Sequence, residues 1–216
     1  QKKLRASVLS DAKGDLLVYG MGEHAILNIA ERLTNKQSLQ DIPGTCLRLT
    51  PKEFETAYPE EQTTVQELPS WDEISKRKEL FLEAELTIDN HARSLSKNLL
   101  IQKQQSSWIV QYPPSPPLTT EEMDAIYLLP YTRKPHPDFK KVPAYQMIRD
   151  SVTIVRGCSG NCSFCAITRH QGTIISSRSI SSVISEVEEI TKVDGFTGSI
   201  TDLGGPTANL YNTSCN

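Results

Sequence analysis

The chain has 216 residues, 38% of them hydrophobic, and a net charge of −3. No apolar run reaches bilayer length and no signal-peptide pattern opens the sequence, so nothing in it reads as a membrane helix or a leader. The small negative charge gives no basic field of the kind that binds nucleic acid. Residues 4–9 read as the end of a helix. Asp15 to Gly20 follows as a buried strand that breaks at Gly20-Met21-Gly22. A helix then runs to about Leu33, with Ala25, Ile26, Ile29, Ala30 and Leu33 as its apolar face. Strand, glycine turn and helix make the doubly wound α/β pattern. The turn lacks the third glycine of a dinucleotide fingerprint, so its glycines read as packing residues. Pro43-Gly44 marks a turn before a strand at Thr45 to Leu49, in which the isolated Cys46 reads as a buried thiol.

The middle of the chain is less regular. Ser70 with Glu73 forms a capping box and predicts a helix reaching His91, a surface or capping histidine. Trp108 to Gln111 reads as an exposed or edge strand. Pro113-Pro114-Ser115-Pro116-Pro117 stiffens the chain as an extended connector. Thr119 and Glu122 cap a further short helix, and the basic, proline-rich run from Arg133 to Val142 marks a domain boundary.

Beyond that boundary, Val152-Thr153-Ile154-Val155 is a β-branched run of the kind found in buried parallel strands. It leads into Arg156-Gly157-Cys158-Ser159-Gly160-Asn161-Cys162-Ser163-Phe164-Cys165, where three of the five cysteines are spaced C-x-x-x-C-x-x-C. Thiolates are soft ligands, and three on one short loop point to a metal or iron–sulfur site with one coordination position left open. Clustering of this kind argues for a reducing compartment, the cytoplasm, over a disulfide framework. Ser179 to Lys192 reads as a helix whose apolar face is Val183, Ile184, Val187 and Ile190, with Glu186, Glu188 and Glu189 on other faces. Phe196 to Leu203 reads as a second strand ending in Gly204-Gly205. Strand, cysteine loop, helix and strand form a βαβ unit.

This spacing resembles the cluster loop of the radical S-adenosylmethionine (radical SAM) enzymes. The resemblance implies that Cys158, Cys162 and Cys165 hold a [4Fe-4S] cluster, with S-adenosyl-L-methionine chelating the fourth iron. It also implies that Phe164 touches the adenine and that Gly204 and Gly205 shape the cofactor pocket. Within that superfamily, Arg156-Gly157-Cys158, Phe164 to Thr168, Gly172, Arg178-Ser179 and Asp202 to Asn209 are similar to the YgiQ-type proteins, as are Asp15 to Gly20 and the segment from Pro114 to Arg133. A one-electron reductant such as flavodoxin or ferredoxin is implied as partner. The substrate is unknown, and no catalytic side chain is assigned.

The expected fold is α/β. Residues 1–142 form an N-terminal doubly wound-like domain with its proline-rich linker. Residues 143–216 form the first βα units of an incomplete radical SAM (βα)6-type partial barrel, since a full set needs roughly 200 residues. Pro206 stands where many radical SAM enzymes have a glutamate after the paired glycines, and Asp202 is the nearby acidic substitute. Cys215 reads either as a spare thiol or as the first ligand of a second metal site. The rival to the whole reading is a non-catalytic metal- or iron–sulfur-binding structural module, for example a zinc knuckle completed by His170.

Overall fold

The computed structural model describes residues 4–59, 65–93, 97–139, 142–160, 162–206 and 209–213. Contacts group the chain into two compact units, 1–116 and 117–216.

The first unit contains α1 (Val8–Asp11), β1 (Leu16–Val18), α2 (Glu23–Thr34), β2 (Thr45–Leu49), α3 (Pro51–Ala57), β3 (Val65–Glu67), α4 (Trp71–Lys76), α5 (Lys78–Arg93), β4 (Leu99–Gln104) and β5 (Ser107–Gln111). Its five strands form one sheet in the order β1-β2-β5-β4-β3. Three pairings are antiparallel and only β3 with β4 is parallel, so the sheet is mixed and not the parallel arrangement a doubly wound domain requires. The physical reason lies in the connections. Strands β4 and β5 are joined by a tight hairpin in which Gln105 takes a positive φ of 53°, and a hairpin forces antiparallel pairing. Pairing with β4 on one side and with the distant β2 on the other puts β5 in the middle of the sheet rather than in the exposed or edge position expected for Trp108 to Gln111.

Side chains alternate across the pleat. Leu47, Leu49, Ile101, Val110 and Tyr112 make one core cluster, while Cys46 and Ile109 pack with Leu9 in another. Helix α3 covers the larger cluster. A capping box between Thr50 and Glu53, with Pro51 at the first turn, starts it. Phe54 then stacks on Trp108 with ring centroids 4.4 Å apart. The predicted helix from Ser70 is present but broken at Arg77, whose φ of −133° is extended, so that α4 and α5 are separate. His91, read as a surface or capping residue, is buried at the end of α5, and its Nε2 lies 2.7 Å from the Asn98 carbonyl. Of the expected apolar face of α2, Ala25 is buried, whereas Ile26 and Leu33 are exposed.

The second unit contains α6 (Thr120–Tyr127), α7 (Tyr145–Ile148), β6 (Ser151–Thr153), β7 (Val155–Arg156), α8 (Ile167–Gln171), β8 (Ser176–Ser177), α9 (Ile180–Thr191) and β9 (Asp202–Gly204). The box of Thr119 and Glu122 starts α6 as read. Helix α6, which precedes the boundary read at Arg133 to Val142, hydrogen-bonds within this unit. Thr120 Oγ1 donates to Ser177 O at 2.9 Å and Asp124 Oδ1 accepts from the Ser179 amide at 3.0 Å. Strands β6 and β9 pair in parallel, with α9 between them in the chain, and β7 pairs antiparallel with β8. Ser179, where the helix was read to begin, is the N-cap of α9 and accepts from the Ser182 amide. Strand β9 is shorter than the sequence suggested, beginning at Asp202. No described helix is long and apolar enough to cross a membrane.

Candidate functional site

The single strand expected at Val152 to Val155 is two strands that change partners at Ile154. The Ile154 amide donates to Gly204 O at 2.8 Å, and its carbonyl accepts from the Arg178 amide at 3.0 Å. One peptide on each side of this residue therefore ties β6–β9 to β7–β8. The cysteines lie on the loop between β7 and β8, so both ends of that loop are pinned by Val155↔Ser177 and Arg156↔Ser176.

Helix α8 closes the loop from within. The Cys158 amide donates to Gly172 O at 3.1 Å, and the Gly157 amide donates to Gln171 Oε1 at 3.1 Å. Thr168, 4% exposed, donates its hydroxyl to Gly160 O at 3.0 Å, with Cys158 O at 3.4 Å. Cys165 N–H turns back on Cys162 O at 3.0 Å. Gly157 holds φ 85°, and a Cβ there would lie 2.0 Å from Ile174 O, so only glycine fits where the loop closes.

Cys158, Cys162 and Cys165 are free thiols, with Cys162 exposed. The structure brings two of them round one glycine. A Cβ on Gly160 would sit 3.4 Å from Cys158 Sγ and 3.9 Å from Cys162 Sγ. Among the described residues no three His, Cys, Asp or Glu side chains converge as a metal-holding group, and His170 is exposed on α8. Three soft donors on a pinned loop, two of them facing a glycine, fit the thiolate set an iron–sulfur cluster takes. Phe164 is 90% exposed beside them. Gly204 and Gly205 lie against the root of the same loop, since a Cβ on Gly205 would meet Val155 O at 2.4 Å and Val155 Cγ1 at 2.6 Å. A Cβ on Gly204 would fall 2.8 Å from the Asp202 carboxylate. Cys215, Asn161, Thr207 and Ala208 lie outside the described residues.

Beneath the loop is a charged cluster that hydrophobic periodicity does not reveal. Arg178 is 1% exposed, and its Nη1 donates to Thr153 O at 2.9 Å while Nη2 donates to Ser182 Oγ at 2.8 Å. Its guanidinium pairs with Glu186, as does that of Arg133. Burial pulls the pKa of both arginines down, which makes the shared carboxylate necessary. Glu186, read as an outward residue of α9, is thus buried, whereas Ile184, read as core, is 51% exposed. The Tyr127 ring lies between two guanidiniums, with Arg178 Cζ 4.3 Å and Arg156 Cζ 5.1 Å from its centroid. Arg156 Nε also donates to the Tyr127 hydroxyl at 3.1 Å. The one signal available was Arg178 directly before the helix read from Ser179, since an arginine that becomes buried demands an acidic partner.

The sequence profile of the family described as Radical SAM N-terminal matches residues 1–151. A UPF0313 protein of Methanocella arvoryzae is 44% identical over 214 residues, covering 99% of this chain and 35% of its own length. UPF0313 proteins of Thermotoga neapolitana and Thermotoga maritima are each 46% identical, over 99% of this chain and 37% of theirs. The chain belongs to the Radical SAM N-terminal family, within the radical SAM superfamily. It spans about a third of the length of the curated relatives it matches.

Proposed function

We propose that this chain carries the cluster-binding start of a radical SAM enzyme, with residues 143–216 as the cluster domain and the first βα units of a partial barrel. The observation that carries the reading is the cysteine loop itself: three free thiols on a loop pinned by strands at both ends and closed by α8. Cys158, Cys162 and Cys165 would hold a [4Fe-4S] cluster through three irons. When bound, that cluster supplies one electron to the sulfonium of S-adenosyl-L-methionine, giving methionine and a 5′-deoxyadenosyl radical that takes hydrogen from a substrate. The electron comes from a one-electron reductant of the flavodoxin or ferredoxin type, and the reduced cytoplasm keeps the thiols free.

This chain's residues do the binding and orienting. Gly157 and Gly205 let backbone approach backbone at the root of the loop, Gly157 against Ile174 and Gly205, just past β9, against Val155. Gly204 and Gly205 thereby present a surface without side chains to the nucleoside, and exposed Phe164 is free to cover the adenine. Asp202, with its carboxylate against Gly204, is the acidic group available to the methionyl amine.

Anaerobic reconstitution with iron and sulfide tests the reading. A brown protein with about four irons per chain and a reducible paramagnetic signal is expected. Cys162→Ala loses that iron, and Cys46→Ala keeps it, because Cys46 is buried in β2. A colourless chain that takes up zinc alone would instead establish the structural metal module.

A further inference from the structure

We propose that Thr168 is a positioning residue that keeps the cysteine loop folded ready for its metal. The inference rests on the cluster reading above but concerns a different property, the shape of the loop before metal arrives. The loop contains Gly157, Ser159, Gly160 and Ser163, and a segment this rich in small residues has many open conformations. Something within the protein must oppose that freedom. The strand pairing of β7 and β8 fixes only the two ends. Between them, among the described residues, three residues of α8 and its end hold the loop's backbone: Gln171 Oε1 on the Gly157 amide, Gly172 O on the Cys158 amide, and Thr168 Oγ1 on Gly160 O with Cys158 O at 3.4 Å.

Thr168 differs from the other two in two respects. It is the buried one, at 4% exposure, so its hydroxyl is shielded on the donor side while Gly160 itself is exposed. It also grips Gly160, the residue flanked by the Cys158 and Cys162 sulfurs. The Thr168 hydroxyl thus sets where the peptide between two ligands sits, although the side chain itself offers the metal nothing. Valine has the same shape without the donor, and serine has the donor without the methyl group, so the pair separates hydrogen bonding from packing.

The experiment uses Thr168→Val and Thr168→Ser in the whole chain, with two readouts. The first is amide hydrogen exchange in the metal-free protein over peptides covering 157–165. Thr168→Val is expected to raise exchange there about tenfold, the upper end for one net hydrogen bond, while Thr168→Ser stays near the parent. The second is the rate at which reconstituted protein gives up iron to an anaerobic chelator, expected to rise about tenfold in Thr168→Val and little in Thr168→Ser. Unchanged exchange and unchanged iron release in Thr168→Val would overturn the inference. So would a rise spread evenly over the peptides of α9 and β6, which would mean a general loss of fold. If the parent takes up no iron yet Thr168→Val still loosens residues 157–165 alone, the loop-holding role stands and the cluster reading is what fails.

Discussion

Cys46 and Cys158 show how far a residue's neighbours decide its chemistry. Cys46 stands in β2 against Leu9 and Ile109, and burial pushes its thiol from 9.0 up to about 12. The neutral thiol is therefore favoured by folding. Its contribution to stability is complete below pH 9 and is lost as pH rises from 9 towards 12. Tyr19 beside it is shifted upward for the same reason. The urea midpoint of the first unit is expected to fall between pH 8 and pH 11 by an amount worth roughly 2 kcal/mol more in the parent than in Cys46→Ala. Parallel falls in the two proteins would assign the alkaline loss to other groups. The three motif cysteines lack such a setting: Cys162 is exposed and the other two half-buried, open to ligation where Cys46 is not. The burial of Cys46 was legible in the sequence, because a lone cysteine in an apolar strand leaves a local pattern.

At the scale of elements, what was legible depended on whether the cause was local. The capping boxes of Ser70 with Glu73 and Thr119 with Glu122 lie within four residues, and both start the helices they predicted. The start of α9 at Ser179 was equally readable. Which strands lie beside β5 is decided by residues far along the chain, so Trp108 to Gln111 gave no sign of its central position. Likewise the period of α9 marked Ile184 as core, yet the buried row is Ser182, Glu186 and Ile190, since Arg178 draws the helix round to reach its carboxylate. This triad has a testable consequence. Glu186→Gln leaves the guanidiniums of Arg133 and Arg178 without their common anion, and breaking a buried pair in this way costs about 3 kcal/mol or more. The urea midpoint of the second unit, followed by far-UV circular dichroism, is expected to drop accordingly. A drop as small as that of an exposed substitution such as Glu188→Gln would show that the pairing contributes nothing. Because Arg178 also donates to Thr153 O in β6, the loss should reach the strand that leads to the cysteine loop.

The chain as a whole divides at Pro116 and Pro117, and this division separates two kinds of stability. The first unit has a five-stranded sheet with apolar clusters on both faces. The second has two small two-stranded sheets, a buried charged cluster and the cysteine loop. A ligand stabilises only the structure that binds it, so cluster loading should act on the second unit and leave the first unmoved. The sequence supplies the probe. Both tryptophans, Trp71 and Trp108, belong to the first unit, so tryptophan fluorescence follows that unit alone while circular dichroism follows both. On iron–sulfur reconstitution the thermal transition seen by circular dichroism is expected to gain a component several degrees higher, whereas the fluorescence midpoint stays where it was. Quenching by the cluster lowers the fluorescence amplitude without moving that midpoint. A fluorescence midpoint that rises in step with the circular dichroism would mean the units unfold as one cooperative body, and the cluster would then be a stabiliser of the N-terminal sheet as well as of its own loop.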